Sequence, residues 1–139
     1  MPQQFTPLQG CLQNATERQT ALVNSVIHLF KASLSPNGST PLADYTAAEA
    51  DYDNYLPLTF AAWDDPILAP GSGYMIGSPL VQFEVGLTDP VTPNTIGGCW
   101  VEDAANKLRI AVIFDEPVPM QLAGQGLPIN LVQLFPTNF

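Results

Sequence analysis

The chain has 139 residues, of which 46% are hydrophobic and only 12% are charged, and this balance excludes a disordered tail and a coiled coil. Four Lys and Arg residues against 13 Asp and Glu residues give a net charge of −9, so the long-range field repels nucleic acid and anionic membrane surfaces. Ten Gly and 14 Pro residues are spread along the chain, which is typical of short segments joined by turns. We predict an all-β (mainly β) fold, a small β-sandwich or jelly-roll-like domain with one short helix and an extended N-terminal arm.

The N-terminal segment differs in composition from the rest. Residues 1–20 are polar and Gln-rich and follow neither the helical nor the strand period, so we predict an extended arm over 1–20 and a single β domain over 21–139. The segment has no basic region followed by an apolar stretch, and we expect no secretory signal. No window reaches 18 uninterrupted apolar residues, so we expect no membrane span.

The next elements carry mixed signals. The apolar stretch 20–34 is compatible with a short helix or, over 26–31, with a strand. The turn-forming run 35–41 predicts a loop. Thr46 and Glu49 have the spacing of a capping box, which predicts a helix over 47–52.

Five later segments are rich in β-branched and aromatic residues and are bounded by turn formers, so we predict strands over 58–63, 80–87, 95–101, 108–114 and 129–135. Within the second, Val81, Phe83 and Val85 should share a buried face opposite Gln82 and Glu84. The nearly continuous apolar run 109–114 predicts an inner strand packed on both faces. Residues 103–106 should connect a hairpin.

The residues show no reaction chemistry, and we expect a protein that is not an enzyme and that needs no cofactor. His28 is the only histidine and has no catalytic partner nearby in sequence, so we interpret it as structural. Cys11 and Cys99 have no metal-ligand spacing; Cys99 is interpreted as a buried free thiol, and pairing of the two stays open. No pair of carboxylates is marked as a glycosidase pair.

Six carboxylates lie within the acidic segment 44–65, and residues 51–54 match the start of a calcium loop. The match fails further on, because Leu56 and Ala62 occupy the positions of the required Gly and Glu. We interpret the segment as a solvated acidic face and leave calcium binding open. The aromatic residues around it could form a sugar-stacking or protein-binding platform, with about half of them in the core: Tyr45, Tyr52, Tyr55, Phe60 and Trp63.

Several blocks of the sequence resemble small virion structural proteins of tailed bacteriophages. The resemblance extends over about 26–135 and is carried by 29–31, 42–46, 51–55, Trp63, 97–101 and 111–118. It implies a capsid decoration or cement-like protein, or a fibre-associated one, located in the virion after assembly in the host bacterial cytoplasm. The implied partners are the major capsid protein or another virion protein and further copies of the chain, with a trimer favoured by shell symmetry.

Candidate interaction residues follow from this resemblance. In a decoration protein, the arm would insert between coat subunits, with Phe5, Leu8 and Leu12 as its apolar contacts. The alternative is a head-fibre or tail adhesin domain that binds host surface polysaccharide through Tyr52, Tyr55 and Trp63. Exposed rings on one outward loop would favour the adhesin, and rings in the core or at a subunit contact would favour decoration.

Overall fold

The computed structural model describes residues 6–69 and 71–137. These residues form two helices, α1 (Leu8–Ala21) and α2 (Leu42–Ala47). The strands are β1 (Ser25–Lys31), β2 (Leu58–Phe60), β3 (Ile67–Ala69), β4 (Gly73–Gly77), β5 (Val81–Glu84), β6 (Asn94–Glu102), β7 (Leu108–Met120), β8 (Gly126–Ile129) and β9 (Val132–Pro136). The prediction of a small mainly-β domain is confirmed.

The strands pair into antiparallel sheets. The largest has the order β2-β1-β6-β7, the second has the order β3-β4-β9, and the third is the pair β5-β8. In the largest sheet, His28 lies opposite Trp100 and Leu29 lies opposite Cys99. In the second, Met75 on β4 lies between Ile67 on β3 and Leu134 on β9. These registers decide which side chains share a face.

One core joins the sheets, and a smaller cluster lies on the opposite face of the largest sheet. The main core takes buried side chains from α1 and from β1, β2, β4, β5, β6, β7 and β8, and it includes Ile27, Phe60, Ile76, Phe83 and Val101. The smaller cluster is made of Phe30, Tyr45 and Trp100, of which Tyr45 comes from α2. Strand β6 is therefore buried on both faces.

The predicted strands are found with different ends. Strand β9 and strand β8 replace the single prediction 129–135, and β3 and β4 were not predicted. Phe83 and Val85 are buried while Gln82 and Glu84 are exposed, so the predicted alternation is confirmed. The prediction of an inner strand over 109–114 is wrong, because β7 lies at the edge of its sheet and Ile113 is 60% exposed.

The prediction of an extended arm is wrong over Leu8–Ala21, which is helix α1. Cys11 and Ala15 form its buried stripe, Leu22 directly after the helix is also buried, and the helix packs against β4 and β9. The stripe consists mainly of small residues between exposed glutamines, so the helical period is weak in the sequence and becomes favourable only through tertiary packing. Phe5 lies outside the described residues.

The predicted helix 47–52 is also wrong, because α2 spans Leu42–Ala47 and follows Pro41. Proline suits the entry of a helix, since its missing amide is not needed there. Thr46 lies inside the helix, and the Glu49 carboxylate contacts His28 instead of returning to a cap. Glu49 therefore does not complete a capping box, because its carboxylate is in contact with His28, which is distant in sequence.

The hairpin predicted at 103–106 is confirmed, since β6 and β7 pair across it. Asp103 Oδ1 accepts hydrogen bonds from the Ala105 and Lys107 amides at 2.9 and 3.0 Å. Its Oδ2 accepts one from Arg109 Nε at 2.7 Å. A single carboxylate thus holds the turn and the start of β7.

The pKa of Asp103 lies below its ordinary value, chiefly because of the hydrogen bond from the Lys107 amide and then because of Arg109. Its stabilising contribution is complete above the ordinary value, about pH 4, and is lost as the pH falls through the lowered pKa. We expect Asp103→Asn to melt below the wild type at pH 7, with the difference narrowing as the pH falls from about 4 towards 2. Thermal melts at several pH values measure the difference in melting temperature between the wild type and Asp103→Asn. A difference that does not change with pH would contradict the role assigned to the Asp103 carboxylate.

Candidate interaction surfaces

The structure does not place the predicted aromatic platform on the surface. Tyr52 and Trp63 are only 2% and 3% exposed, and Tyr55 is half-buried. The Tyr55 ring stacks on Phe83 with centroids 6.0 Å apart, and Trp63 Nε1 donates to Ser25 Oγ. The interpretation of Tyr52 and Trp63 as interaction residues is therefore wrong, because packing on the core covers both rings.

The hydroxyl groups of Tyr55 and Tyr52 differ in their hydrogen bonding. Tyr55 Oη accepts from the Leu29 amide at 3.0 Å and donates to Glu49 Oε2 at 2.8 Å. Burial raises the pKa of Tyr55, and burial raises the pKa of Tyr52 to about 12. The Tyr52 hydroxyl has no hydrogen-bond partner among the described residues. Both phenols are therefore un-ionised at neutral pH.

His28 lies between two carboxylates. Its Nδ1 is 2.6 Å from Glu49 Oε2, and its Nε2 is 2.8 Å from Glu102 Oε2. The ring stacks on Trp100 at a centroid distance of 4.6 Å and an angle of 6°. A neutral imidazole has one N–H, so both contacts are hydrogen bonds only when both nitrogens carry protons. The cluster joins β1, β6 and the segment after α2, and this agrees with a structural histidine.

The two glutamates do not form a metal site with His28, because they face opposite edges of its ring. Over 6–69 and 71–137, no group of three His, Cys, Asp or Glu side chains is arranged to hold a metal ion. In the acidic segment, Asp53 accepts from the Val91 and Thr92 amides. Asp51 accepts from Asn94 Nδ2, and this bond is the main cause that lowers the pKa of Asp51. These carboxylates hold loops together.

Both cysteines are free and buried. Burial raises the pKa of the Cys99 thiol to about 12, which keeps it in the unreactive thiol form. Cys11 Sγ lies 3.3 Å from the Pro136 carbonyl oxygen, where α1 meets β9. The interpretation of Cys99 as a buried free thiol is confirmed, and the two cysteines are unpaired.

Two of the predicted arm residues are accessible, although on a helix. Leu8 is 45% exposed and Leu12 is 38% exposed, one turn apart on α1. They form a short apolar ridge beside Cys11 and Ala15, at the accessible margin of the buried side of α1. The ridge is rigid because α1 is packed on the second sheet.

The most distinctive surface is the side of the sheet β3-β4-β9 that points away from the main core, and we call it the outer face. Alternation puts Tyr74, Ile76 and Phe135 towards the main core. The side chains on the opposite side of the sheet point outward, and all of them are apolar, with Gly73 and Gly77 between them: Ile67, Ala69, Met75, Val132, Leu134 and Pro136. Ile67, Val132 and Leu134 are 56%, 64% and 47% exposed.

The polarity of β9 is inverted relative to an ordinary surface strand. Gln133 points inward, and its buried Oε1 has no hydrogen-bond partner among the described residues, while Val132 and Leu134 face outward. An exposed antiparallel face normally carries polar residues. A shallow cavity of about 170 Å³ opens on this face beside Met75 and Val132, with Asp64 and Asp65 at its rim. The outer face is suited to contact with an apolar surface.

Sequence reasoning missed the outer face because it missed β3 and β4. Each is short and contains or borders glycine or proline, residues that are typical of turns. The available signal was in 132–136, where the apolar residues alternate with Gln133. The pattern predicts one apolar face, but only the core shows that this face points outward.

No helix among the described residues has both the length and the apolar character needed to cross a bilayer. The comparisons with known proteins add no family: the chain matches no protein-family model, no curated protein and no solved structure.

Proposed function

We propose that the chain is a non-enzymatic structural protein of a tailed-phage particle, a decoration protein that stabilises the shell as a homo-oligomer and needs no cofactor. The observation that carries the proposal is the outer face, where every outward side chain of a three-stranded sheet is apolar. The resemblance of residues 26–135 to small phage virion proteins implies that the partner of this surface is the coat protein.

Charge supports this use of the outer face. A chain of net charge −9 repels its own copies and any acidic shell over most of its surface. The outward side chains of the outer face carry no charge, so contact there costs no ion desolvation. Covering the remaining exposed area of Ile67, Val132 and Leu134 contributes on the order of 1 kcal/mol for each.

The ridge of Leu8 and Leu12 replaces the predicted arm as a second contact. A helix that is already folded loses less conformational freedom on binding than an extended segment does. Binding to the shell then combines two rigid apolar surfaces. Nothing observed favours the adhesin alternative, because Tyr52 and Trp63 are in the core.

A cryo-EM reconstruction of the particle that encodes the chain, made without imposed symmetry, tests the proposal. We expect many copies on the shell around its local three-fold axes, with the trimer as the expected arrangement. A few copies confined to the tail or to one vertex would overturn the decoration role and favour a connector or adhesin.

A substitution on the outer face gives the matching biochemical prediction. Leu134→Gln should weaken binding to purified shells about tenfold while leaving the melting temperature nearly unchanged, because Leu134 is half exposed. Leu122→Gln is the matched control, since Leu122 is 55% exposed in a loop away from this sheet. Equal shell binding by both variants would exclude the outer face as the contact.

A further inference from the structure

Strand β7 is the longest strand of the chain and has an open edge. It spans 13 residues, lies at the end of the sheet β2-β1-β6-β7, and pairs only with β6 among the described strands. Its core-facing residues Ile110, Val112 and Phe114 are only partly buried, as expected beside an uncovered edge. Long open edges are templates for a further strand, and proteins normally cover or interrupt them.

Charges along this edge are separated by sign. Lys107 and Arg109, two of the four cationic residues of the chain, lie at its beginning, and Asp115 and Glu116 lie further along. Burial, and then the charge of Arg109, lower the pKa of Arg18, so a third cation lies near the beginning of β7. Pro117 and Pro119 follow the acidic pair and lack the amides that a further strand would need.

The segment from Leu108 to Glu116 is complementary to itself when reversed. Consider a second copy that pairs antiparallel with Val112 opposite Val112. Each residue then lies opposite the residue of the second copy that is equally far from Val112 on its other side. Arg109 then lies opposite Asp115 of the second copy, and Ala111 lies opposite Ile113 of the second copy. Exposure alternates along β7, so Arg109, Ala111, Ile113 and Asp115 point to the outward face. Pairing with β6 is regular over 110–113, and its register shifts beside Arg109 and between Ile113 and Val118.

We propose that β7 is a homotypic contact, in which two copies of the chain pair their β7 edges antiparallel about Val112 and form one continuous eight-stranded sheet. Each copy contributes one Arg109 and one Asp115, so two cross-strand ion pairs flank the apolar centre. Arg109 already donates through Nε to Asp103, and its two terminal nitrogens remain for the carboxylate of the second copy.

The register is set by charge and by the ends of the pairing. A parallel arrangement in register would place Arg109 against Arg109 and Asp115 against Asp115, which is repulsive. The turn at 103–107 limits the pairing on one side and Pro117 limits it on the other. The contact is two-fold and isologous, since the same residues serve both copies.

The inference rests on the self-association in the proposed function, but it uses a different surface from the outer face. Sedimentation velocity of the full chain measures it directly. We expect the free chain to form a dimer, while the trimer is expected at the three-fold axes of the shell. The dissociation constant of the dimer should rise with salt, because the flanking ion pairs are at the surface. Asp115→Lys should weaken the dimer at least tenfold, because two attractive pairs become repulsive.

Glu84→Lys is the matched control, since it makes the same charge change at an exposed position on β5 and should leave the dimer intact. Ile113→Lys is a second disruptive variant, and its side chain is exposed enough to leave the fold unaffected. Circular dichroism melts check that each variant is folded. A dimer equally sensitive to Glu84→Lys and Asp115→Lys would overturn the edge contact.

Cysteine cross-linking tests the register. Mixed Ala111→Cys and Ile113→Cys proteins should form a disulfide between copies faster than either protein alone, and the native cysteines are buried and do not compete. A wild-type trimer without this cross-link would overturn the edge contact and leave the decoration role standing. A wild type that is a monomer at every concentration would also overturn the edge contact. If that monomer still bound to shells, the decoration role would stand without the edge contact.

Discussion

Trp100→Ala is expected to lower the free energy of unfolding by about 3–5 kcal/mol, which is a large part of the stability of a domain of this size. Trp100 is fully buried and belongs to the smaller cluster with Phe30 and Tyr45. Its ring also stacks on His28, and its Nε1 donates to Glu102 Oε2 at 3.2 Å. The substitution leaves a cavity and removes the stacking surface that orients the imidazole between two carboxylates.

Urea denaturation measures this effect as a lower midpoint at an unchanged slope. Trp100→Phe keeps part of the packed ring and should cost clearly less than the alanine variant. Leu87→Ala, at a side chain that is 98% exposed, should change the stability by no more than about 0.5 kcal/mol. A loss below about 1 kcal/mol for Trp100→Ala would show that the smaller cluster contributes little to folding.

Gly98→Ala should be nearly as damaging although it adds one methyl group. An added Cβ would overlap the Val112 carbonyl oxygen and the Phe30 ring. The carbonyl belongs to the neighbouring strand, so relief requires separation of β6 from β7 and not only a change of rotamer. We expect a loss of about 3 kcal/mol, at the upper end of the range for overpacked cores.

The matched control is Gly38→Ala. A Cβ at Gly38 meets nothing within 4 Å, so this variant should be neutral or slightly stabilised by its reduced freedom when unfolded. Both variants are compared with the wild type by urea denaturation and by near-ultraviolet circular dichroism. If Gly98→Ala were as stable as Gly38→Ala, close approach of β6 and β7 at this point would be excluded.

The elements that could be predicted from sequence are those whose cause is local. Alternation over 81–85 and turn formers around Asp103 each act within a few residues, and the structure has both features. Helix α1 could not be predicted, because its buried residues Cys11 and Ala15 are small and its stability comes from β4 and β9. The edge position of β7 is likewise a property of its neighbours, and an apolar run alone does not specify which neighbours are present.

The candidate surfaces were harder to predict than the fold. The composition around 45–63 indicates many aromatic rings but not their direction, and the core takes Tyr52 and Trp63. His28 is satisfied by Glu49 and Glu102, which are distant in sequence, so no local pattern could identify the cluster. The outer face needed β3, β4 and β9 together, and two of these strands are short enough to pass for turns.

The meeting of the two described ends has a mechanical consequence. The Thr6 amide donates to the Thr137 carbonyl at 3.0 Å, and Cys11 Sγ lies against Pro136 in the same place. A pulling force applied through both ends therefore acts first on this backbone bond and then on the packing of α1 against β4 and β9. Because β9 pairs with β4, force at that end also acts on the second sheet, and we expect tension to open this sheet before the largest one.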